Sequence, residues 1–135
     1  MKDRAFFDTN ILVYLYSDDE PVKRKIASEL LTKGESIITI QVLKEFTNTL
    51  RKKYSVEWQK ISAAIDEILL FFILYPTEIS DIKAAISVAE KYRYSFYDSL
   101  IIASALESNC KILYSEDLQH NQIIKNKLKI INPFL

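Results

Sequence analysis

Residues 5–12 run Ala5-Phe6-Phe7-Asp8-Thr9-Asn10-Ile11-Leu12. A short apolar run stops at three residues that favour turns and helix caps, and apolar residues resume directly behind them. This is the signature of a strand that passes straight into a helix, and it sets an α/β pattern from the start of the chain.

Working outward, Asn10 to Tyr16 reads as a short helix, and Pro21 suits the first position of a second that runs to about Thr32 before Gly34 closes it. Ser36 to Ile40 is β-rich. From Gln41 to Lys53, Val42, Leu43, Phe46 and Leu50 recur at helical spacing, and Val56 to Phe72 repeats the pattern with Ile61, Ala64, Ile65, Ile68 and Leu69. Phe72 to Tyr75 reads as a short strand ended by Pro76. A helix over Ile79 to Tyr92 is predicted to bury Ile82, Ala85, Ile86 and Ala89, and another spans Phe96 to Glu107. Lys111 to Tyr114 and Lys129 to Ile131 are the last strand-like runs. Strands separated by helices predict parallel pairing through right-handed crossovers. The expected fold is therefore a three-layer α/β/α sandwich around a mainly parallel sheet of four to five strands, with residues 1–135 as one domain.

Composition narrows the chemistry. The 135 residues are 49% hydrophobic and 27% charged, the balance of a globular protein. Eighteen Lys and Arg offset eighteen Asp and Glu, so no overall positive field draws in phosphate backbones, and any nucleic-acid contact has to be local. Cys110 stands alone, which rules out an intramolecular disulfide or a thiolate metal cage and suits a reducing cytoplasm. Met1-Lys2-Asp3-Arg4 has no signal-peptide pattern behind it. The run from Ile68 to Tyr75 is far shorter than the roughly 20 residues of a membrane span, so no membrane partner is expected. With one glycine and three prolines the chain has no phosphate-cradling loop, and its chemistry must come from side chains.

Four acids then stand out by position. Asp8 follows the first strand, Asp117 lies just past the strand ending at Tyr114, Glu45 sits early in the helix after the second strand, and Asp98 opens a helix. Sites in open α/β sheets gather at the carboxyl ends of the strands, so all four can face one rim. Two carboxylates about 4 Å apart repel by roughly 4 kcal/mol at an effective dielectric of about 20, a cost that a cation removes. An all-oxygen set selects a hard ion, Mg²⁺ or Mn²⁺, and such ions act on phosphate esters. Taken singly, each acid has a plainer use. Asp8 could cap a helix, Glu45 could face solvent, Asp98 with Ser95 imitates a capping box, and Asp117 could serve a turn.

The set resembles the PIN-domain family, and within it the VapC-type ribonuclease toxins of toxin-antitoxin pairs. Phe6-Phe7-Asp8-Thr9-Asn10-Ile11-Leu12 matches the family's opening, Tyr97-Asp98-Ser99-Leu100-Ile101-Ile102-Ala103-Ser104-Ala105 its Asp-started helix, and Tyr114-Ser115-Glu116-Asp117-Leu118 its late strand and acid. Glu45 fits its helical glutamate. The resemblance implies that Asp8, Glu45, Asp98 and Asp117 are catalytic and hold Mg²⁺ or Mn²⁺, while Asn10 and Ser115 orient them or touch a phosphate. Glu116 leaves the fourth ligand open between itself and Asp117, with Asp117 favoured by its spacing. The resemblance further implies an RNA substrate, a homodimer and a protein antitoxin.

Around this set, Arg51-Lys52-Lys53 and Lys125, Lys127 and Lys129 could hold phosphates or simply be solvated, and His120 is expected at the surface without a partner. Tyr92, Tyr94, Phe96 and Tyr97 could stack on bases or pack against helices, and Tyr54 and Trp58 could face a partner. Two rival readings are a catalytically inactive PIN-like module that only binds protein, and a phospho-receiver domain. Against the second, no lysine ends the strand from Lys111 to Tyr114.

Overall fold

A computed structural model describes residues 3–135. The first strand, β1 (Arg4–Phe7), runs into α1 (Thr9–Leu15) through Asp8 alone. Then follow α2 (Pro21–Leu30), β2 (Glu35–Ile38), α3 (Ile40–Tyr54), α4 (Trp58–Phe71) and β3 (Phe72–Leu74). The second half comprises α5 (Ile79–Tyr92), α6 (Phe96–Glu107), β4 (Ile112–Tyr114), β5 (Ile123–Ile124) and β6 (Leu128–Ile131).

The strands form one sheet in the order β3-β2-β1-β4-β6-β5, parallel except where β5 meets β6. Helices flank it, as the alternation of strands and helices predicts. β1 lies at the centre, with Phe6 in register with Ile37 of β2 and Leu113 of β4. A central parallel strand has to be apolar on both faces, and Phe6 and Phe7 are accordingly both fully buried. Phe7 meets Phe72 and Tyr114 edge-to-face at 5.1 and 5.2 Å, which ties three strands together through one ring.

The sheet has six strands where four to five are expected. The addition is β5, two residues long, which a period-two reading cannot detect. Its turn back to β6 places Lys125 and Asn126 at φ 50° and 56°, the positive pair that a type I′ hairpin requires, without the glycine that usually signals one.

Two further expectations shift. α2 ends at Leu30, so Gly34 does not cap it. Glycine is needed there because a Cβ would run into the backbone carbonyl of Asp3, which accepts the Glu35 N–H at 2.9 Å as β2 begins. In α5 the buried face is Asp81, Ala85 and Val88, whereas Ile82 and Ile86 are exposed. The apolar periodicity locates this helix correctly but misplaces its inner face, because two isoleucines stand outside. No helix among the described residues is long and apolar enough to cross a membrane.

Candidate active site

The carboxyl ends of β1 and β4 lie side by side, joined by the Asp8 N–H donating to the Tyr114 carbonyl at 3.0 Å. Asp8 is the N-cap of α1: one carboxylate oxygen accepts the Thr9 N–H at 2.7 Å and the other accepts the Ser115 hydroxyl at 2.8 Å. The cap and the predicted site role thus fall on the same residue. Ser115, fully buried, also accepts the N–H groups of Asp117 and Leu118, so one hydroxyl shapes the turn after β4 and fixes Asp8. Asp117 is exposed, and its carboxylate accepts the Asn10 amide at 2.6 Å.

Glu45 lies in the second turn of α3. Its carboxylate accepts the Thr9 hydroxyl at 3.1 Å and the Gln41 amide at 3.3 Å. Gln41 also donates to the Tyr97 carbonyl at 3.2 Å, which straps α3 to the start of α6 and to Asp98 beside it. Asp98 is half-buried in the first turn of α6, where its N–H donates to the Ser95 hydroxyl. The reciprocal half of the expected capping box is replaced by this one-sided cap.

The electrostatics link all four acids. Burial pushes the Asp8 carboxyl up to about 6; its hydrogen bonds from Ser115 and Thr9 oppose the rise, and the charges of Glu45 and Asp117 add to it. Glu45 is raised by desolvation, against its bonds from Thr9 and Gln41, with Asp98 adding its charge. Asp117 is raised by desolvation and then by the charges of Glu116 and Asp98. Among the described residues no Lys or Arg forms an ion pair with any of the four, and their partners are neutral hydroxyls, amides and a backbone N–H. The donor set is all oxygen and carries uncompensated negative charge, which fits a hard divalent cation. The acids do not stand as a closed ligand group: among the described residues, no three His, Cys, Asp or Glu side chains are placed to hold an ion together.

Glu116 turns the other way. It accepts the Tyr14 hydroxyl at 2.6 Å and pairs with Lys23, so of the two adjacent acids it is Asp117 that shares the rim with Asp8. Thr9 and Gln41 are the site residues that sequence reading passes over. Gln41 was detectable, since it stands one helical turn ahead of Glu45.

The aromatic group divides. The Tyr92 and Tyr94 hydroxyls accept the N–H groups of Lys125 and Gln119, which fastens the segment leading into the β5–β6 hairpin, while Phe96 and Tyr97 are exposed beside Asp98. Trp58 is exposed with the Arg51 guanidinium 4.9 Å from its ring, and Arg51 also donates to the Val56 carbonyl, so this cation is committed to packing. His120, expected to lack a partner, is half-buried and its Nδ1 accepts the Asn132 N–H at 2.9 Å.

Comparison with known proteins agrees with this fold. A toxin-antitoxin complex from Klebsiella pneumoniae contains a chain similar to this one at TM-score 0.72 and 19% identity, covering 96% of this chain and 97% of that one. VapBC2 from Rickettsia felis, bound to a DNA fragment from its promoter, gives 0.69 and 17%, covering 96% and 99%. Mycobacterium tuberculosis VapC20, a toxin that cleaves the sarcin-ricin loop, gives 0.68 and 18%, covering 84% and 89%. No curated protein shows significant sequence similarity to the chain. The PIN domain family model matches residues 5–126, from the first strand to the β5–β6 turn, and the chain belongs to the PIN domain family.

Proposed function

We propose that the chain is a divalent-metal-dependent endoribonuclease that hydrolyses RNA phosphodiester bonds, and that it is the toxin of a cytoplasmic toxin-antitoxin pair. The observation that most supports this reading is that Asp8, Glu45, Asp98 and Asp117 offer only oxygen donors, lie in one another's electrostatic field and, among the described residues, form no ion pair with a basic side chain. The similar chains of known structure include a sarcin-ricin loop-cleaving toxin and members of two toxin-antitoxin complexes, which supports both the RNA substrate and the antitoxin partner.

Asp8, Glu45, Asp98 and Asp117 would hold Mg²⁺ or Mn²⁺. When bound, such an ion acidifies a water molecule and offsets charge on the phosphorus oxygens. The protein's own part is orientation. Ser115 and Thr9 fix the Asp8 carboxylate, Asn10 fixes Asp117, and Gln41 holds Glu45 while anchoring the start of α6. Ionisation of Asp8 is part of assembling the site, since neutral Asp8 is a poor ligand.

A homodimer is part of the proposal. Leu70 and Phe71 at the end of α4 and Ile79 and Ile86 on α5 are between 56% and 81% exposed, apolar surface that a second copy could cover.

The inactive binding module remains the rival, favoured by the lack of a closed ligand group among the described residues. Cleavage of RNA oligonucleotides in Mn²⁺ separates the two. Wild-type protein should cut, cutting should stop on chelation, and Asp98→Asn should fall by roughly a hundredfold or more, given the several kcal/mol a metal centre supplies. Wild-type protein that leaves RNA intact in millimolar Mg²⁺ and Mn²⁺ would favour the binding module.

A further inference from the structure

The turn that carries Asp117 has an anchor outside the rim. Ser115, Glu116 and Asp117 leave β4 with their side chains diverging: Ser115 to Asp8, Glu116 to Tyr14 and Lys23, and Asp117 to Asn10. Asn10 and Tyr14 are one turn apart on α1, so a single helix face engages two consecutive acids.

Lys23, near the start of α2, is not a solvent-waving lysine. Its ammonium pairs with Glu116 and donates to the Tyr14 hydroxyl at 3.2 Å. It also lies 4.7 Å from the Tyr14 ring centre and 5.3 Å from that of Phe134, and these two rings pack edge-to-face at 5.2 Å. Lys23 and Glu116 side chains are 30% and 23% exposed, drier than a typical surface pair. Asp117, by contrast, is exposed, and while Ser115 holds its backbone N–H, the carboxylate is held among the described residues by the amide of Asn10. Its aim therefore depends on how firmly the adjacent Glu116 is held.

Removing Lys23 would have two consequences. Glu116 would keep the Tyr14 hydroxyl and the more distant charge of Lys53 but lose its ion pair, and its own charge already acts on Asp117. A Glu116 without its ion pair then repels Asp117 more strongly and is freer to compete for the same cation.

We propose that Lys23, through Glu116 and with Tyr14, is a positioning residue that sets the orientation of Asp117 and so the ion affinity of the rim, without itself touching ion or RNA. This rests on the ribonuclease reading above. Removal of a residue that orients a metal ligand costs about ten- to a hundredfold in metal affinity.

The test is Mn²⁺ binding by calorimetry, with no RNA present, on wild type, Lys23→Met, Lys23→Arg, Tyr14→Phe, Asp117→Asn and the Lys23→Met/Asp117→Asn double variant. Lys23→Met should weaken Mn²⁺ binding about tenfold or more. Lys23→Arg should restore most of the loss, and Tyr14→Phe, which keeps the ring and removes one hydrogen bond, should weaken binding less. In the Asp117→Asn background Lys23→Met should add nothing further, because it acts through that carboxylate. The side-chain amide resonance of Asn10 in the metal-free protein should move in Lys23→Met. An unchanged or tighter Mn²⁺ affinity in Lys23→Met, the same loss with and without Asp117, or an unmoved Asn10 resonance would each overturn the proposal. Failure of the ribonuclease reading looks different: Asp117→Asn would bind Mn²⁺ as wild type does, and both ideas would fall together. Should Lys23→Met not fold, Tyr14→Phe alone and in the Asp117→Asn background gives the same comparison at smaller amplitude.

Discussion

Asp8 on the acid rim and Asp81 at the start of α5 both hold carboxylates away from water, and the company each keeps is opposite. Asp81 is 1% exposed, and its two oxygens accept the Glu78 N–H at 2.7 Å and the Tyr75 hydroxyl at 3.2 Å, completing a capping box with Glu78. Asp8 also has two donors, yet it stands in the field of Glu45 and Asp117, and burial pushes its carboxyl up to about 6. One acid closes a hydrogen-bond circuit and stabilises the fold. The other is held where burial disfavours its ionisation.

Substitution should separate the two. The largest expected effect is Asp8→Asn, which should lower RNA cleavage by roughly a thousandfold, several kcal/mol at about 1.4 kcal/mol per decade, while the protein melts no lower than wild type. Asp81→Ala should do the reverse, with cleavage per folded molecule unchanged. A destabilised Asp8→Asn protein that still cuts would erase the contrast.

Next in size is the pH dependence. Folded Asp8 holds its proton to about 6 and unfolded Asp8 loses it near 3.8, so between these values the native state binds more protons. Stability from this group is full below about pH 4 and declines as pH rises through about 6, by up to about 3 kcal/mol. Urea unfolding of wild type and Asp8→Asn at pH 4.5 and 7 should show the substitution favouring the variant more at the higher pH. The opposite trend would show that Asp8 is stabilised when charged.

Asp81→Ala should cost about 2 kcal/mol in the same measurement, from a lost helix cap and two lost hydrogen bonds. The smallest effect is Tyr75→Phe, which removes one donor to Asp81 and should cost about 1 kcal/mol or less. A Tyr75→Phe variant as unstable as Asp81→Ala would show that the capping box contributes little.

These contrasts mark where sequence reading stops. α6 was legible from Phe96 to Glu107, because Ser95 caps it and small and aliphatic residues fill it. The opening strand and the Asp-Thr-Asn turn were equally plain, since local chemistry alone dictates them. The inner face of α5 was not, because Asp81 is buried through Tyr75 and Ile82 and Ile86 stand outside. Spacing favoured Asp117 over Glu116, but the partner that draws Glu116 aside, Lys23, is 93 positions away in the chain and was not legible. Individual acids were easy to find; their partners, which decide their use, come only from the fold.

The hairpin that adds β5 shows a wider habit of this chain. With one glycine in its sequence, it places Ser55, Arg93, Asn109, Asn121, Lys125 and Asn126 at positive φ. Each such residue carries a Cβ where one costs roughly 1 kcal/mol, less so for asparagine. Ser55 and Arg93 end α3 and α5 in a conformation that glycine adopts without that cost. The backbone therefore keeps a margin for thermal hardening at helix ends, where glycine substitution can raise the melting temperature without altering any acid of the rim.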